Sequence, residues 1–261
     1  MKLKLYRVDA FTDKLFSGNP TAVCPLDKWL TDDLMRTIAA ENCLSATAFY
    51  IKEGDNFHIR WFTPTLELDL NGNATLATAH VLVNHLGYSG TEINFNSRSG
   101  MLKVKKQDDK FTINFPADEY ERVKNPAELS IALSARPMEC YRGKADYMLV
   151  YGSEQEIVNL KPNFRTMAMV DSRGIIVTAP GSQTDFVSRF FAPHSGINED
   201  YVTGSAHATL VPYWAQKLGK VNMSAMQLSS RKGYLNCTFI GERVELSGKA
   251  VTYLVGEIET E

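Results

Sequence analysis

No apolar run in this sequence reaches the length of about 18 residues that a membrane-spanning helix needs, so no membrane span is expected. The amino terminus, MKLKLYRVDAF, alternates as a strand does and lacks the apolar core of a signal peptide. An excess of one charge is missing too. Lys+Arg number 28 against 30 Asp+Glu, a net charge of -2, which gives nucleic acid no basic surface and leaves no acidic tail. Only four cysteines occur, Cys24, Cys43, Cys140 and Cys237. They are widely spaced, with no CxxC pair and no histidine at metal spacing, so four buried, reduced thiols are expected rather than a zinc or redox centre. The five histidines form no HExxH pattern. What these absences leave is a cytoplasmic enzyme or binding protein.

Hydrophobic residues at 44% and charged residues at 22% are enough for a packed core, and 261 residues suit one large domain or two of about half that size. Runs at 3–11, 21–26, 47–51, 58–62, 93–95, 101–104 and 111–115 read as short strands. A helix over 31–41 is expected, with Thr31 as N-cap, acidic residues in the first turn and Leu34, Ile38 and Ala39 on its apolar face. A second helix starts near Asn73 and stops at Gly87. Further on, 147–151, 174–178 and 185–191 read as strands, Ser153 with Glu156 forms a capping box, and a helix covers 205–218 before Gly219. Several short strands between 227 and 258 end the chain. The polar stretch 119–128, with Pro126, is the best linker between lobes 1–118 and 119–261, the last strands packing on the first lobe.

The sequence also resembles itself. Arg60-Trp61-Phe62-Thr63-Pro64 returns 129 residues later as Arg189-Phe190-Phe191-Ala192-Pro193. Gly72-Asn73-Ala74 returns 132 residues later as Gly204-Ser205-Ala206, and Leu86-Gly87 as Leu218-Gly219. Two lobes of similar fold follow from that spacing. Each Gly turn sets backbone N–H groups at a helix start, an anion or carboxylate cradle, and a pseudo-twofold would face the two across a cleft. The plainer reading is that both glycines only permit tight strand-to-helix turns.

Such a cleft suits proton transfer at carbon. A two-thiol racemase would need cysteines where Asn71 and Thr203 stand. The titratable groups near the turns are Asp69, Glu199 and Asp200. Asp200 is either an acid–base group or a solvated loop carboxylate, and Asp69 belongs on an outward strand face. Ser205 and Asn73 either bind a substrate carboxylate or cap their helices, while His80 and His207 read as packed or surface side chains.

The segments VDAFTDKLFSGNPTAV, ENCLSATAF, RWFTPTLELDLNGNATLATAHVL and SRFFAPHSGINEDYVTGSAHATLVPYWAQKLG resemble the phenazine-biosynthesis PhzF-like isomerase family. The resemblance implies an α+β fold of two pseudo-symmetric lobes, like diaminopimelate epimerase, each a mixed sheet or barrel around a central helix. It also implies a homodimer, no metal or organic cofactor, and a small carboxylate as ligand. The type enzyme moves a proton on trans-2,3-dihydro-3-hydroxyanthranilate with a glutamate. In the family pattern Asn-Leu-Ser-Glu-Thr that glutamate falls on Ala46, and the histidine of Cys-Gly-His falls on Asn73. Asp200 survives as the catalytic carboxylate, Asn19, Ser45, Gly72, Thr203, Gly204 and Ser205 survive as substrate-binding positions, and Asn73, though a departure, is a substrate-binding position as well. Three explanations fit these departures: a natural binder without turnover, different chemistry with Asp200 as sole acid–base group, or an engineered Ala46.

Overall fold

In the computed structural model, which describes residues 1–260, the chain divides into two compact units. One is 1–114 joined by the segment from Ser247 to the carboxyl end, and the other is 115–246.

The first unit runs β1 (Lys2–Ala10), β2 (Asn19–Pro25), α1 (Asp32–Asn42), β3 (Thr47–Glu53), β4 (Asn56–Phe62), β5 (Glu67–Leu68), α2 (Gly72–His85), β6 (Glu92–Ser97), β7 (Gly100–Gln107) and β8 (Lys110–Pro116). β2 is antiparallel to β1 and parallel to β3, and β4 is antiparallel to β3 and β5 but parallel to β6. Between β1 and β2 the chain turns at Gly18, whose φ is +65°, and a Cβ there would meet the Ala10 carbonyl oxygen at 2.2 Å. Only glycine fits such a turn. α2 is buried on every side from Gly72 to Leu82 and touches β1, β2, β3 and β7, so the sheet curls around it. On the other face of the sheet, Met35, Ile38 and Ala39 of α1 pack on Cys24, Phe49 and Phe62.

The second unit runs β9 (Tyr120–Arg122), α3 (Ala127–Leu133), β10 (Glu139–Gly143), β11 (Asp146–Val150), α4 (Glu154–Asn159), α5 (Phe164–Met167), β12 (Gly174–Pro180), β13 (Phe186–Ala192), β14 (Ile197–Asp200), α6 (Gly204–Leu218), β15 (Asn222–Gln227), β16 (Gly233–Ile240) and β17 (Arg243–Gly248). β11 is antiparallel to β10 and parallel to β12, and β13 is antiparallel to β12 and β14 but parallel to β15. This is the ladder of the first unit, strand for strand. The final strand, β18 (Ala250–Glu259), lies antiparallel to β1 as β9 lies antiparallel to β10. α6 is buried along most of its length and touches β11, β15 and β16. The α+β fold of two similar lobes, each a mixed sheet around a helix, is therefore present.

The repeat extends to side chains. Arg60 forks onto Glu67, with Nε–Oε1 and Nη2–Oε2 both 2.7 Å, over the Phe62 ring. Arg189 forks onto Glu199 at 2.7 and 3.0 Å over the Phe191 ring. Each bidentate pair ties a long strand to the short one leading into the central helix.

Three local expectations change. The stretch 119–128 is structured: Tyr120–Arg122 forms β9, and the Tyr120 ring packs edge-on against Tyr141. An aromatic there finds a partner strand that polarity concealed. In α1, Met35 joins Ile38 and Ala39 on the buried face in place of Leu34, which is only half-buried. Cys24, Cys140 and Cys237 are buried and free, but Cys43 is exposed at the left-handed C-cap of α1, where its thiol donates to the Ala40 carbonyl. Burial pushes the Cys24 thiol up to about 12.

Candidate active site

The start of α6 gathers most of the chemistry. β14 ends at Asp200, and three residues later Thr203 precedes the helix. Thr203 Oγ1 donates to Asp200 Oδ2 at 2.6 Å, so it forms no side-chain cap on α6. Gln227, fully buried at the end of β15, anchors the same turn. Its Oε1 accepts from the Thr203 N–H at 2.9 Å, and its Nε2 donates to the Asp200 carbonyl at 2.8 Å. β15 runs parallel to β13, so the ladder itself delivers Gln227. From inside the helix, His207 Nδ1 lies 2.8 Å from the Thr203 carbonyl and must carry its proton to donate there. His207 is completely buried, and burial drives its pKa down to about 4, with the carbonyl bond acting weakly the other way. It is a neutral, packed strut. Asp200 and Thr203 are thus fixed from three directions.

Ser205, one residue past Gly204, accepts from Arg173 Nη1 at 3.1 Å. It is not the N-cap of α6. Arg173 precedes β12, and its Nε and Nη2 fork onto Asp146, a buried carboxylate at the start of β11. Asp118 sits close by, accepting from Thr209 of α6 at 2.8 Å.

The first unit has the quieter counterpart. Asn19 is fully buried at the start of β2, and Ser45 Oγ lies 2.6 Å from its Oδ1 and 3.1 Å from the Pro20 carbonyl. The single Ser45 proton therefore points inward. Ala46 is fully buried, and its carbonyl accepts from the Ala22 N–H. At the start of α2 the capping residue is Asn71, whose Oδ1 accepts from the Ala74 N–H at 2.8 Å. Asn73 is buried in the first turn and is not the cap, so the capping reading of this residue is set aside.

The predicted residues thus fall into three groups: Asn19, Ser45 and Ala46 at the junction of β2 and β3; Gly72 and Asn73 at the start of α2; and Asp200, Thr203, Gly204 and Ser205 at the start of α6. Glu199 is tied up by Arg189, and Asp69 is exposed in the loop after β5. Sequence reasoning missed Gln227, Arg173 and Asp146. They carry no motif, and strand pairing alone brings them to the turn. Among the described residues, no group of three or more His, Cys, Asp or Glu could hold a metal ion, and no helix is long and apolar enough to cross a membrane.

The family described as phenazine biosynthesis-like protein matches residues 8–256. The chain belongs to that family. Two proteins of Pseudomonas aeruginosa, each named an uncharacterized isomerase, are 46% identical to it over 258 residues, 99% of both chains. A crystal structure of a PhzF-family phenazine biosynthesis protein from Enterococcus faecalis has a TM-score of 0.97 at 43% identity, covering 100% of each chain. A hydroxyproline epimerase from Agrobacterium vitis shares the fold alone, with a TM-score of 0.64 at 11% identity over 98% of this chain and 92% of its own. The duplicated ladder of this PhzF-family chain is thus an epimerase-like architecture.

Proposed function

We propose that this phenazine biosynthesis-like protein is an isomerase that moves a proton on a small carboxylate metabolite without a cofactor, with Asp200 as its acid–base group. The observation that carries the reading is the fixed pair of Asp200 and Thr203 at the start of a buried helix. A carboxylate so oriented can take a proton from a carbon next to the substrate's conjugated system. The charge left on the substrate is then stabilised by the N–H groups at the helix start, including those of Gly204 and Ser205. The same carboxylate returns the proton to a second carbon.

Ala46 and Asn73 stand where the family resemblance puts a glutamate and a histidine, and neither side chain titrates. One base then does both transfers, which places them on one face of the substrate. Gly72, Asn73, Asn19 and Ser45 belong to substrate binding in this reading, and the homodimer, the cytoplasmic setting and the lobes 1–118 and 119–261 are part of the same proposal. The missing acid–base positions also favour a second reading, a carboxylate-binding protein without turnover.

A panel of aromatic and amino-acid carboxylates, including trans-2,3-dihydro-3-hydroxyanthranilate, separates the two. Melting-temperature shifts report binding by mass action, and proton NMR of the same mixtures reports turnover. Turnover that falls ~10²–10⁴-fold in Asp200→Asn is the expected result. Binding with no turnover supports the second reading, and turnover unchanged in Asp200→Asn refutes the role of Asp200.

A further inference from the structure

The matching ladders assign an equivalent to every strand residue. In the first unit Phe49 of β3 lies opposite Arg60, and in the second Val177 of β12 lies opposite the repeated Arg189. Following each strand back to its start brings Ser45 and Arg173 to the same place, with Ala46 matching Gly174. One lobe therefore carries a small hydroxyl where the other carries a guanidinium.

That guanidinium is firmly built in. Asp146, almost fully buried, takes Nε at 2.9 Å and also takes Nη2, leaving the fork no second orientation. Phe190 lies under the guanidinium, 5.6 Å from Cζ to the ring centroid. The same ring closes over Gly174, where a Cβ would meet it at 2.2 Å, so the glycine is what lets Phe190 support Arg173. The backbone is pinned as well, the Arg173 N–H reaching the Ala145 carbonyl at 3.1 Å. The remaining arm, Nη1, reaches Ser205 Oγ.

A guanidinium has donors and no acceptor, so Ser205 must accept from it. Its own hydroxyl proton is then turned away from Arg173. Ser45 has its proton held inward by Asn19 and Pro20, the opposite arrangement. We propose that Arg173 is a positioning residue: it holds the Ser205 hydroxyl as an outward hydrogen-bond donor to the substrate's carboxylate, and so sets affinity rather than the rate of proton transfer. This rests on the assignment of Ser205 to substrate binding made above.

The test uses anthranilate as a non-isomerising probe of binding, and the substrate found in the panel as the probe of turnover. Arg173→Gln is made alone and together with Asp146→Asn, since the second change spares the fold an unpaired buried carboxylate. Either form is expected to bind anthranilate ~10-fold more weakly, the loss typical of one charge-assisted hydrogen bond. KM should rise by a similar factor with kcat changed less than about twofold. Ser205→Ala should weaken binding comparably, and adding Arg173→Gln to it should cost nothing further. Unchanged affinity in Arg173→Gln overturns the proposal, as do losses that multiply with Ser205→Ala or a fall in kcat at constant KM. If the unaltered protein binds neither anthranilate nor any member of the panel, the carboxylate reading itself is overturned and this one with it.

Discussion

Thr203 donates its hydroxyl proton to Asp200 across 2.6 Å. In the other lobe the equivalent residue, Asn71, turns its side chain to the helix and caps α2. Capping is worth about 1 kcal/mol, so α6 forgoes that stabilisation while its threonine orients a carboxylate. Local stability given up for geometry is what a working site shows.

Thr203→Val should therefore lower turnover about tenfold, because the carboxylate loses its orienting donor. Thr203→Ser, which keeps the hydroxyl, should stay within about threefold of the original. Steady-state rates of the two variants, read beside their melting temperatures, check this. Equal losses in both would point to packing by the threonine methyl instead.

Gln227→Leu leaves the Thr203 N–H and the Asp200 carbonyl without the amide that joins them. A buried donor stripped of its acceptor costs about 1–3 kcal/mol. Urea denaturation should show a loss of that size, accompanied by a fall in turnover. A variant as stable as the original would contradict the anchoring role.

Stability should depend on pH through His207 and His80. Burial pushes both imidazoles down from 6.5 to about 4, and neighbouring His85 adds to the effect on His80. The unfolded chain then binds more protons than the folded one between these values. Folding stability is full above about pH 6.5, declines as pH falls towards 4, and levels off for these two groups below that. Urea midpoints measured from pH 7.5 down to 4.5 should fall, and His207→Gln should flatten part of the slope. An unchanged slope in that variant would show that His207 contributes nothing to it.

Ala46→Glu with Asn73→His restores both titrating groups of the family pattern. Ala46 is fully buried and Asn73 nearly so, so the double variant should be destabilised by about 2–4 kcal/mol while gaining turnover. Calorimetry and rate measurement on one preparation test both halves. Stability lost with no gain in turnover would show that these two positions do not limit the chemistry.

Much of the fold was legible because its signals are local or repeated. Thr31 caps α1 by accepting from the Leu34 N–H, and Ser153 caps α4 by accepting from the Glu156 N–H, although its partner Glu156 carboxylate accepts from the Ser153 hydroxyl instead of a backbone N–H. Gly219 ends α6 in the left-handed region. The recurrence of Arg60 as Arg189 foretold equivalent lobes. Non-local contacts stayed hidden. The Asp146–Arg173 fork joins residues brought together by the parallel pairing of β11 and β12, and Gln227 reaches its turn from another strand of the ladder. Neither has a spacing to read. The sequence left open whether Asn73 caps α2, because either asparagine of that turn can accept from the helix start, and backbone geometry makes Asn71 the cap. Cys43 looked like a core thiol, yet it ends a helix at the surface.

Deuterium wash-in tests the acid–base role of Asp200 most directly. The protein and its Asp200→Asn variant are incubated in heavy water with trans-2,3-dihydro-3-hydroxyanthranilate and the carboxylate panel, and the carbon-bound protons are followed by NMR. Exchange at one carbon position by the unaltered chain is expected, with a loss of ~10²–10⁴-fold in the variant. Exchange that persists at full rate in Asp200→Asn would contradict that role.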